Sequence, residues 1–76
     1  MFEEIKNILV NEMDVDESVI TTDAQLATDL GVNSLELADL VLLCEDKFGV
    51  SISDDDIRSF VTVGDVVTYL EANAQN

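Results

Sequence analysis

The sequence predicts a small all-α protein, a four-helix bundle with three longer helices and one short helix. A helix-start pattern occurs three times, and apolar residues recur at helical spacing. The one strand-like alternation, at 48–52, has no second strand to pair with. The chain has 76 residues, 47% of them hydrophobic, which is enough apolar material for one small folded domain over 1–76.

The helix-start pattern is a capping box framed by two aliphatic residues. It occurs as VNSLEL (32–37), ISDDDI (52–57) and VTVGDV (61–66). In each copy a small polar residue can accept a hydrogen bond from a free backbone N–H, and an acid three positions later can reach back. The pattern therefore predicts helix caps at Asn33, Ser53 and Thr62.

These caps and the apolar periodicity together predict helices over about 2–13, 34–48, 54–59 and 63–73. In the last helix, Val63, Val66, Val67 and Leu70 form an amphipathic stripe. A long polar connection, 14–32, joins the first two helices. Its spaced apolar residues are expected to anchor it to the core: Val15, Val19, Ile20, Leu26 and Leu30.

The charge of the chain is strongly acidic and limits the partners it can have. Seventeen Asp and Glu stand against three Lys and Arg, a formal net charge of −14 at pH 7. Such a surface repels nucleic acid and anionic lipid and favours proteins with basic patches. No apolar run is long enough to insert into a membrane, and Met1 is followed by acids rather than by a signal-peptide pattern. We therefore expect a cytoplasmic protein that binds no nucleic acid.

The helix over 34–48 separates into two faces at 3.6 residues per turn. The face predicted to be buried carries Leu37, Leu40, Val41, Cys44 and Phe48. The opposite face mixes aliphatic residues with acids: Leu35, Ala38, Asp39, Leu42, Glu45 and Asp46, with Glu36 beside them. The periodicity leaves two interpretations open, an ordinary solvated face or a docking surface with an apolar centre and a charged rim.

Ser34 is predicted to be the first residue of this helix, with its hydroxyl directed toward solvent. The chain contains no histidine, so no imidazole can activate Ser34 or Cys44, which argues against a hydrolase. A phosphate ester on Ser34 would lie at the positive end of the helix dipole. The geometry by itself says only that a phosphate is tolerated there.

The residues around Ser34 are more specific. DLGVNSLE (29–36) closely resembles the phosphopantetheine attachment motif of acyl carrier proteins, Asp-Leu-Gly-x-Asp-Ser-Leu. The likeness continues without a gap through CEDKF (44–48), ISDDD (52–56) and VTVGDVVTYL (61–70), and more loosely before Asp29. The resemblance implies a carrier that is not an enzyme, with no catalytic residue and no resident metal.

In this family the serine is an anchor, so the resemblance assigns Ser34 as the attachment site of covalent 4′-phosphopantetheine. A holo-acyl-carrier-protein synthase transfers this arm from coenzyme A with magnesium, and its thiol then holds acyl groups as thioesters. The discrete bacterial type, which serves fatty acid synthesis, is the most similar. Polyketide, peptidyl and D-alanyl carriers share the fold and the serine and remain alternatives.

The resemblance also assigns partner contacts to the acidic face of the helix: Leu35, Glu36, Asp39, Leu42, Glu45 and Asp46. The implied partners, besides the synthase that loads Ser34, are ketoacyl synthases, reductases, dehydratases and acyltransferases with basic patches. The carrier itself is expected to be a monomer. An interior that could shelter an acyl chain is expected to include Leu37, Leu40, Ile52, Ile57 and Val61.

The chain departs from the family motif immediately before the serine, where Asn33 replaces the usual aspartate. Asparagine caps a helix about as well as aspartate. It is a poorer magnesium ligand than a carboxylate, so loading of Ser34 is expected to be slower.

Two interpretations outside the carrier class are available. An unmodified acidic helical adaptor would dock through the same face and would need nothing of Ser34. A calcium-binding EF-hand is a poor match, because the loop beginning at Asp14 has Val19 and Gln25 where glycine and glutamate are required.

Overall fold

Four α-helices follow the predicted bounds in a computed structural model that describes residues 1–73. They are α1 (Phe2–Met13), α2 (Ser34–Phe48), α3 (Asp54–Ser59) and α4 (Val63–Asn73). The predicted all-α class is confirmed: within 1–73 the only β-type pairing is one antiparallel bridge between Gln25 and Thr62. Residues 74–76 of the predicted domain lie outside the described residues.

The three predicted caps are in place, with different degrees of completeness. Asn33 and Glu36 form a full capping box at the start of α2. Thr62 and Asp65 do the same for α4: the Asp65 N–H donates to Thr62 Oγ1 at 3.1 Å, and the Thr62 N–H donates to Asp65 Oδ2 at 3.0 Å. The Asp65 carboxylate accepts from the N–H groups of Thr62 and Val61, and these two hydrogen bonds hold the pKa of Asp65 below its ordinary value. At α3 the Asp56 N–H donates to Ser53 Oγ, whose hydroxyl donates in turn to the Asp56 carboxylate.

Two left-handed residues end α1 and α2. Gly49 follows α2 with φ 66°, as its position after Phe48 predicts, and its N–H donates to the Glu45 carbonyl. Asp14 follows α1 with φ 57°, a conformation that aspartate tolerates better than most residues do. The helices therefore stop where the sequence places residues that can reverse the chain.

The core lies between α1, α2 and α4. Its centre is formed by aliphatic side chains that are 0% exposed: Ile5, Leu9, Leu40, Val63 and Leu70. The short helix α3 contributes no buried residue and lies at the edge of this core. No helix within 1–73 combines the length and the apolar composition that crossing a bilayer would require.

The long connection is held to the core largely as expected. Ile20 and Leu26 are buried, and Val15 and Leu30 pack against the core. The prediction for Val19 is wrong, because this residue is 41% exposed. It lies in a single turn of 3₁₀ helix, Glu17–Val19, none of whose residues is buried.

The connection is also joined by its backbone to the start of α4. The Leu26 N–H donates to the Val61 carbonyl at 2.9 Å, and the Val63 N–H donates to the Ala24 carbonyl at 3.0 Å. One residue further on, the Gly64 N–H donates to the Thr22 carbonyl at 2.9 Å. The first turn of α4 therefore fixes the position of the segment that leads to α2.

Gly64→Ala is expected to lower the free energy of unfolding, because a Cβ there would lie 2.9 Å from the Thr22 carbonyl oxygen. That oxygen belongs to the backbone and moves only with its chain, so overpacking should cost about 1–3 kcal/mol, less the gain in helix propensity. Urea unfolding would measure the loss, with Thr68→Ala on the exposed face of α4 as the control. Equal stability of the two variants would contradict this close approach.

The single cysteine is a core residue. Cys44 is 0% exposed, as its place on the buried face of α2 predicts. Burial, and to a smaller extent the charge of neighbouring Glu45, raises the pKa of the Cys44 thiol to about 12. The thiol therefore behaves as a small apolar side chain and is not reactive.

Candidate functional site

Ser34 is the first residue of α2, and its side chain is exposed. The preceding Asn33 is extended, with φ −85° and ψ 179°, and its Oδ1 accepts a hydrogen bond from the Glu36 N–H at 2.8 Å. The Glu36 carboxylate accepts from the Asn33 N–H at 3.2 Å. Because Asn33 supplies the cap, the Ser34 hydroxyl is free for other chemistry.

The residues just before Ser34 form a tight reversal that sets the entry angle of the chain. Asp29 fastens a turn, since its carboxylate accepts from the Gln25 N–H at 2.8 Å. Gly31 then takes φ 70°, which favours glycine. Val32 is buried and donates its N–H to the Leu26 carbonyl at 2.8 Å. Each of these positions in the DLGVNS segment has a local structural role in presenting Ser34.

Free backbone donors remain beside the Ser34 hydroxyl. The Leu37 N–H donates to the Asn33 carbonyl at 2.8 Å, and the capping box uses the N–H groups of Asn33 and Glu36. This pattern leaves the N–H groups of Ser34 and Leu35 without an acceptor among residues 1–73. Together with the dipole of a 15-residue helix, they favour a negatively charged group at this end of α2.

An open cleft of about 380 Å³ adjoins Ser34. Its walls come from the turn before α2, from the start of α2 and from the segment between α3 and α4. Most of the lining side chains are apolar. The lining residues are Gln25, Leu26, Ala27, Val32, Asn33, Ser34, Leu37, Phe60 and Val61. Sequence periodicity could not reveal the cleft, because it joins segments more than 20 residues apart.

The expected interior needs one correction at this cleft. Leu40 and Ile52 are buried, and Leu37 and Ile57 pack against the core. Val61 is not an interior residue, because it is 54% exposed. Its backbone carbonyl bonds to the Leu26 N–H, which leaves its side chain at the cleft beside Ser34.

The acidic face predicted on α2 is present, and its apolar members are exposed. Leu35 is 75% exposed and Leu42 is 62% exposed, which is unusual for two leucines on the same helix face. Asp39 and Asp46 are also exposed. The structure therefore brings these four predicted contact residues onto one accessible surface that begins at Ser34.

Two other predicted contact residues already have partners within the chain. Glu36 is half-buried and closes the capping box. Glu45 is half-buried, and its Oε2 accepts from the Ile52 N–H at 2.7 Å, which ties α2 to the segment before α3. Both carboxylates keep a second oxygen, but part of their role is to hold the scaffold.

Basic side chains do little to neutralise this surface. Among residues 1–73, Lys6 pairs with Glu17 at 3.5 Å and Arg58 pairs with Asp55 at 3.6 Å. Lys47 lies in the last turn of α2, at the end away from Ser34. The face from Ser34 to Asp46 thus keeps a negative field that attracts cationic groups.

Comparison with known proteins places this geometry in a family. Residues 3–70 match the family model described as "Phosphopantetheine attachment site". An acyl carrier protein from Thermotoga maritima is 45% identical over 71 residues, which cover 93% of this chain and 88% of that protein.

Solved structures agree in fold. A structure from Mycobacterium tuberculosis, assigned as an acyl carrier protein, has a TM-score of 0.86 and 35% identity, and the match covers 93% of this chain and 95% of that one. A crystal structure of an acyl carrier protein from Thermotoga maritima has a TM-score of 0.82, covering 92% of this chain and 81% of that one. Its 24% identity bears on the fold alone.

Proposed function

The chain belongs to the acyl carrier protein family, and we propose that Ser34 is the residue that carries its 4′-phosphopantetheine arm. Proteins of this family are carriers rather than catalysts, and the covalent arm is their cofactor. The observation that supports Ser34 most strongly is its exposed hydroxyl at the first turn of α2, inside the segment that resembles the attachment motif.

The surroundings of Ser34 suit a phosphate ester that leads into a slender arm. The free N–H groups of Ser34 and Leu35 and the helix dipole favour the phosphate charge. The adjoining cleft offers an apolar wall, including Leu37 and Val61, along which the arm or a bound acyl group can lie. When bound, the arm supplies a terminal thiol that holds acyl groups as thioesters.

We further propose that the acyl groups belong to fatty acid synthesis. The VTVGDVV segment (61–67) favours this pathway by likeness to the discrete bacterial carriers. Its partners would be the holo-acyl-carrier-protein synthase, ketoacyl synthases, reductases, dehydratases and acyltransferases. Their basic patches would meet the acidic face through Leu35, Glu36, Asp39, Leu42, Glu45 and Asp46. The carrier would act as a cytoplasmic monomer, with no nucleic acid partner and no insertion into membranes.

Intact-mass analysis tests the attachment directly. The purified chain is incubated with coenzyme A, magnesium and a promiscuous phosphopantetheinyl transferase, and the modified peptide is then identified after digestion. A gain of one phosphopantetheine on the peptide that contains Ser34 would support the proposal. A folded chain that gains nothing would mean that Asn33 has disabled loading or that the chain is the unmodified adaptor. The same experiment on Asn33→Asp separates these two outcomes, because only a disabled carrier would then be loaded.

The pathway is tested separately on the loaded protein. The holo form is charged with malonyl groups and supplied to a reconstituted bacterial fatty acid synthase in place of its own carrier. Chain elongation would support the fatty acid role. Efficient loading without elongation would instead favour a polyketide, peptidyl or D-alanyl carrier.

Asn33→Asp is expected to accelerate loading of Ser34. A carboxylate next to the serine restores the charge of the family motif, and a charge-assisted contact exceeds a neutral one by about 1 kcal/mol, or roughly fivefold in kcat/KM for the transferase. The melting temperature should hardly change, because both residues cap helices well. Asn7→Asp, which adds the same charge on the exposed surface of α1, should leave kcat/KM unchanged. Equal rates for all three proteins would overturn the expectation.

A further inference from the structure

A second groove lies on the same side of α2 as the acidic face, where α2 passes the end of α1. It has a volume of about 390 Å³ and is lined by Glu12, Met13, Glu36, Asp39, Leu42 and Leu43. Four of these residues belong to α2, but Glu12 and Met13 belong to the last turn of α1. The groove is therefore made by the packing of two helices and could not be found from the periodicity of either one.

The groove has an apolar floor and an acidic rim. Met13 and Leu43 pack against the core with part of their surface exposed, and Leu42 stands 62% exposed beside them. A methionine in such a place adapts to the shape of an incoming apolar side chain. The floor therefore suits an aliphatic side chain from a partner, because contact with it would remove exposed apolar surface from water.

The rim determines the charge of the occupant. Glu12 and Asp39 are exposed on opposite helices, and Glu36 uses one carboxylate oxygen for the capping box. None of the basic side chains within 1–73 lines the groove: Lys6 and Arg58 pair with Glu17 and Asp55 elsewhere, and Lys47 lies in the last turn of α2. Lysine or arginine on a partner would meet carboxylates from both helices at once.

We propose that the partner-binding surface extends from α2 onto the end of α1, and that this groove receives a basic segment of the transferase that loads Ser34. The segment would place one aliphatic side chain on the floor and basic side chains on the Glu12 and Asp39 sides of the rim. Leu42 lies eight residues from Ser34, about 12 Å along the helix axis, so an enzyme docked at Ser34 can reach it. The inference rests on the proposed loading of Ser34.

Steady-state loading kinetics of Glu12→Lys test the contribution of α1. With a discrete holo-acyl-carrier-protein synthase, we expect KM to rise about fivefold and kcat to stay within about twofold of the original chain. Glu71→Lys is the matched control. Both residues are exposed glutamates in the last turn of a helix and both changes add two positive charges, but Glu71 does not line the groove.

A double-mutant cycle tests whether one segment of the transferase contacts both Glu12 and Leu42. If one segment contacts both Glu12 and Leu42, the KM effect of Glu12→Lys should be smaller in a Leu42→Ala background than alone. Glu71→Lys should show no such coupling to Leu42→Ala.

The outcomes separate the two proposals. If the original chain is not loaded, the proposed function fails and the groove proposal fails with it. If it is loaded and Glu12→Lys behaves as Glu71→Lys does, only long-range charge matters and the groove proposal alone is overturned. A selective rise in KM for Glu12→Lys, coupled to Leu42, would support it.

Discussion

Ser34→Ala is expected to gain no phosphopantetheine under conditions that load the original chain completely. The hydroxyl oxygen is the atom that would form the phosphate ester, and alanine has no replacement for it. The fold should not be affected, because the Ser34 side chain is exposed and Asn33 supplies the helix cap. A surface change of this kind alters stability by less than about 0.5 kcal/mol, so the melting temperature should stay within about 3 °C.

Ser53→Ala provides the reciprocal control. Ser53 is also a serine at the start of a helix, but its Oγ accepts from the Asp56 N–H at 3.2 Å and caps α3. Its loss should cost about 1 kcal/mol of stability and leave loading intact. Intact mass and thermal melting of both variants measure the contrast. Phosphopantetheine on Ser34→Ala would show that another residue is the anchor and would end the assignment of Ser34.

Leu40→Ala is expected to remove much of the stability of the protein. Leu40 is 0% exposed on the inner face of α2, and such truncations cost about 2–5 kcal/mol. A 76-residue chain has a total of about 4–11 kcal/mol at the usual stability per residue. The variant should therefore have a large unfolded population in mild urea, where the original chain remains folded.

The thiol of Cys44 reports this unfolding without an added label. It is buried in the native state and becomes accessible to a thiol reagent only when the core opens. Leu42→Ala is the matched control, with the same substitution on the same helix at an exposed position. We expect rapid labelling in Leu40→Ala and slow labelling in Leu42→Ala. Similar labelling rates would mean that the inner and outer faces of α2 are wrongly assigned.

The helices were predictable because their signals are local. Asn33, Ser53 and Thr62 each act on backbone groups within three residues, and Gly49 ends α2 through its own backbone conformation. The apolar stripes then fix which side of each helix is buried. Such features depend on neighbours in sequence, so their spacing carries the information.

The long connection was less predictable because its contacts are distant in sequence. Leu26 bonds to Val61, and Gly64 bonds to Thr22, across more than 30 residues. No periodicity marks those pairs. Val19 illustrates the same limit. It stands next to Ile20 in a polar segment without a repeat, so the sequence does not show which of the two is buried, and the structure buries Ile20 and exposes Val19.

The features of the candidate site also differ in how far they could be predicted from local sequence. The position of Ser34 and the exposure of Leu35 and Leu42 follow from helix start and periodicity. The cleft beside Ser34 and the groove beside Leu42 each need a second segment brought in by the tertiary fold. The internal hydrogen bond of Glu45 to Ile52 likewise depends on how the chain turns after α2.

The burial of Cys44 has a chemical consequence for a protein that holds thioesters. A thiolate attacks thioesters, so a second reactive sulfur on the same molecule could take the acyl group from the arm by transthioesterification. Because burial raises its pKa to about 12, the Cys44 thiol stays protonated at pH 7, and it has no access to solvent. The cargo therefore has one sulfur to reside on, and the carrier does not compete with its own arm.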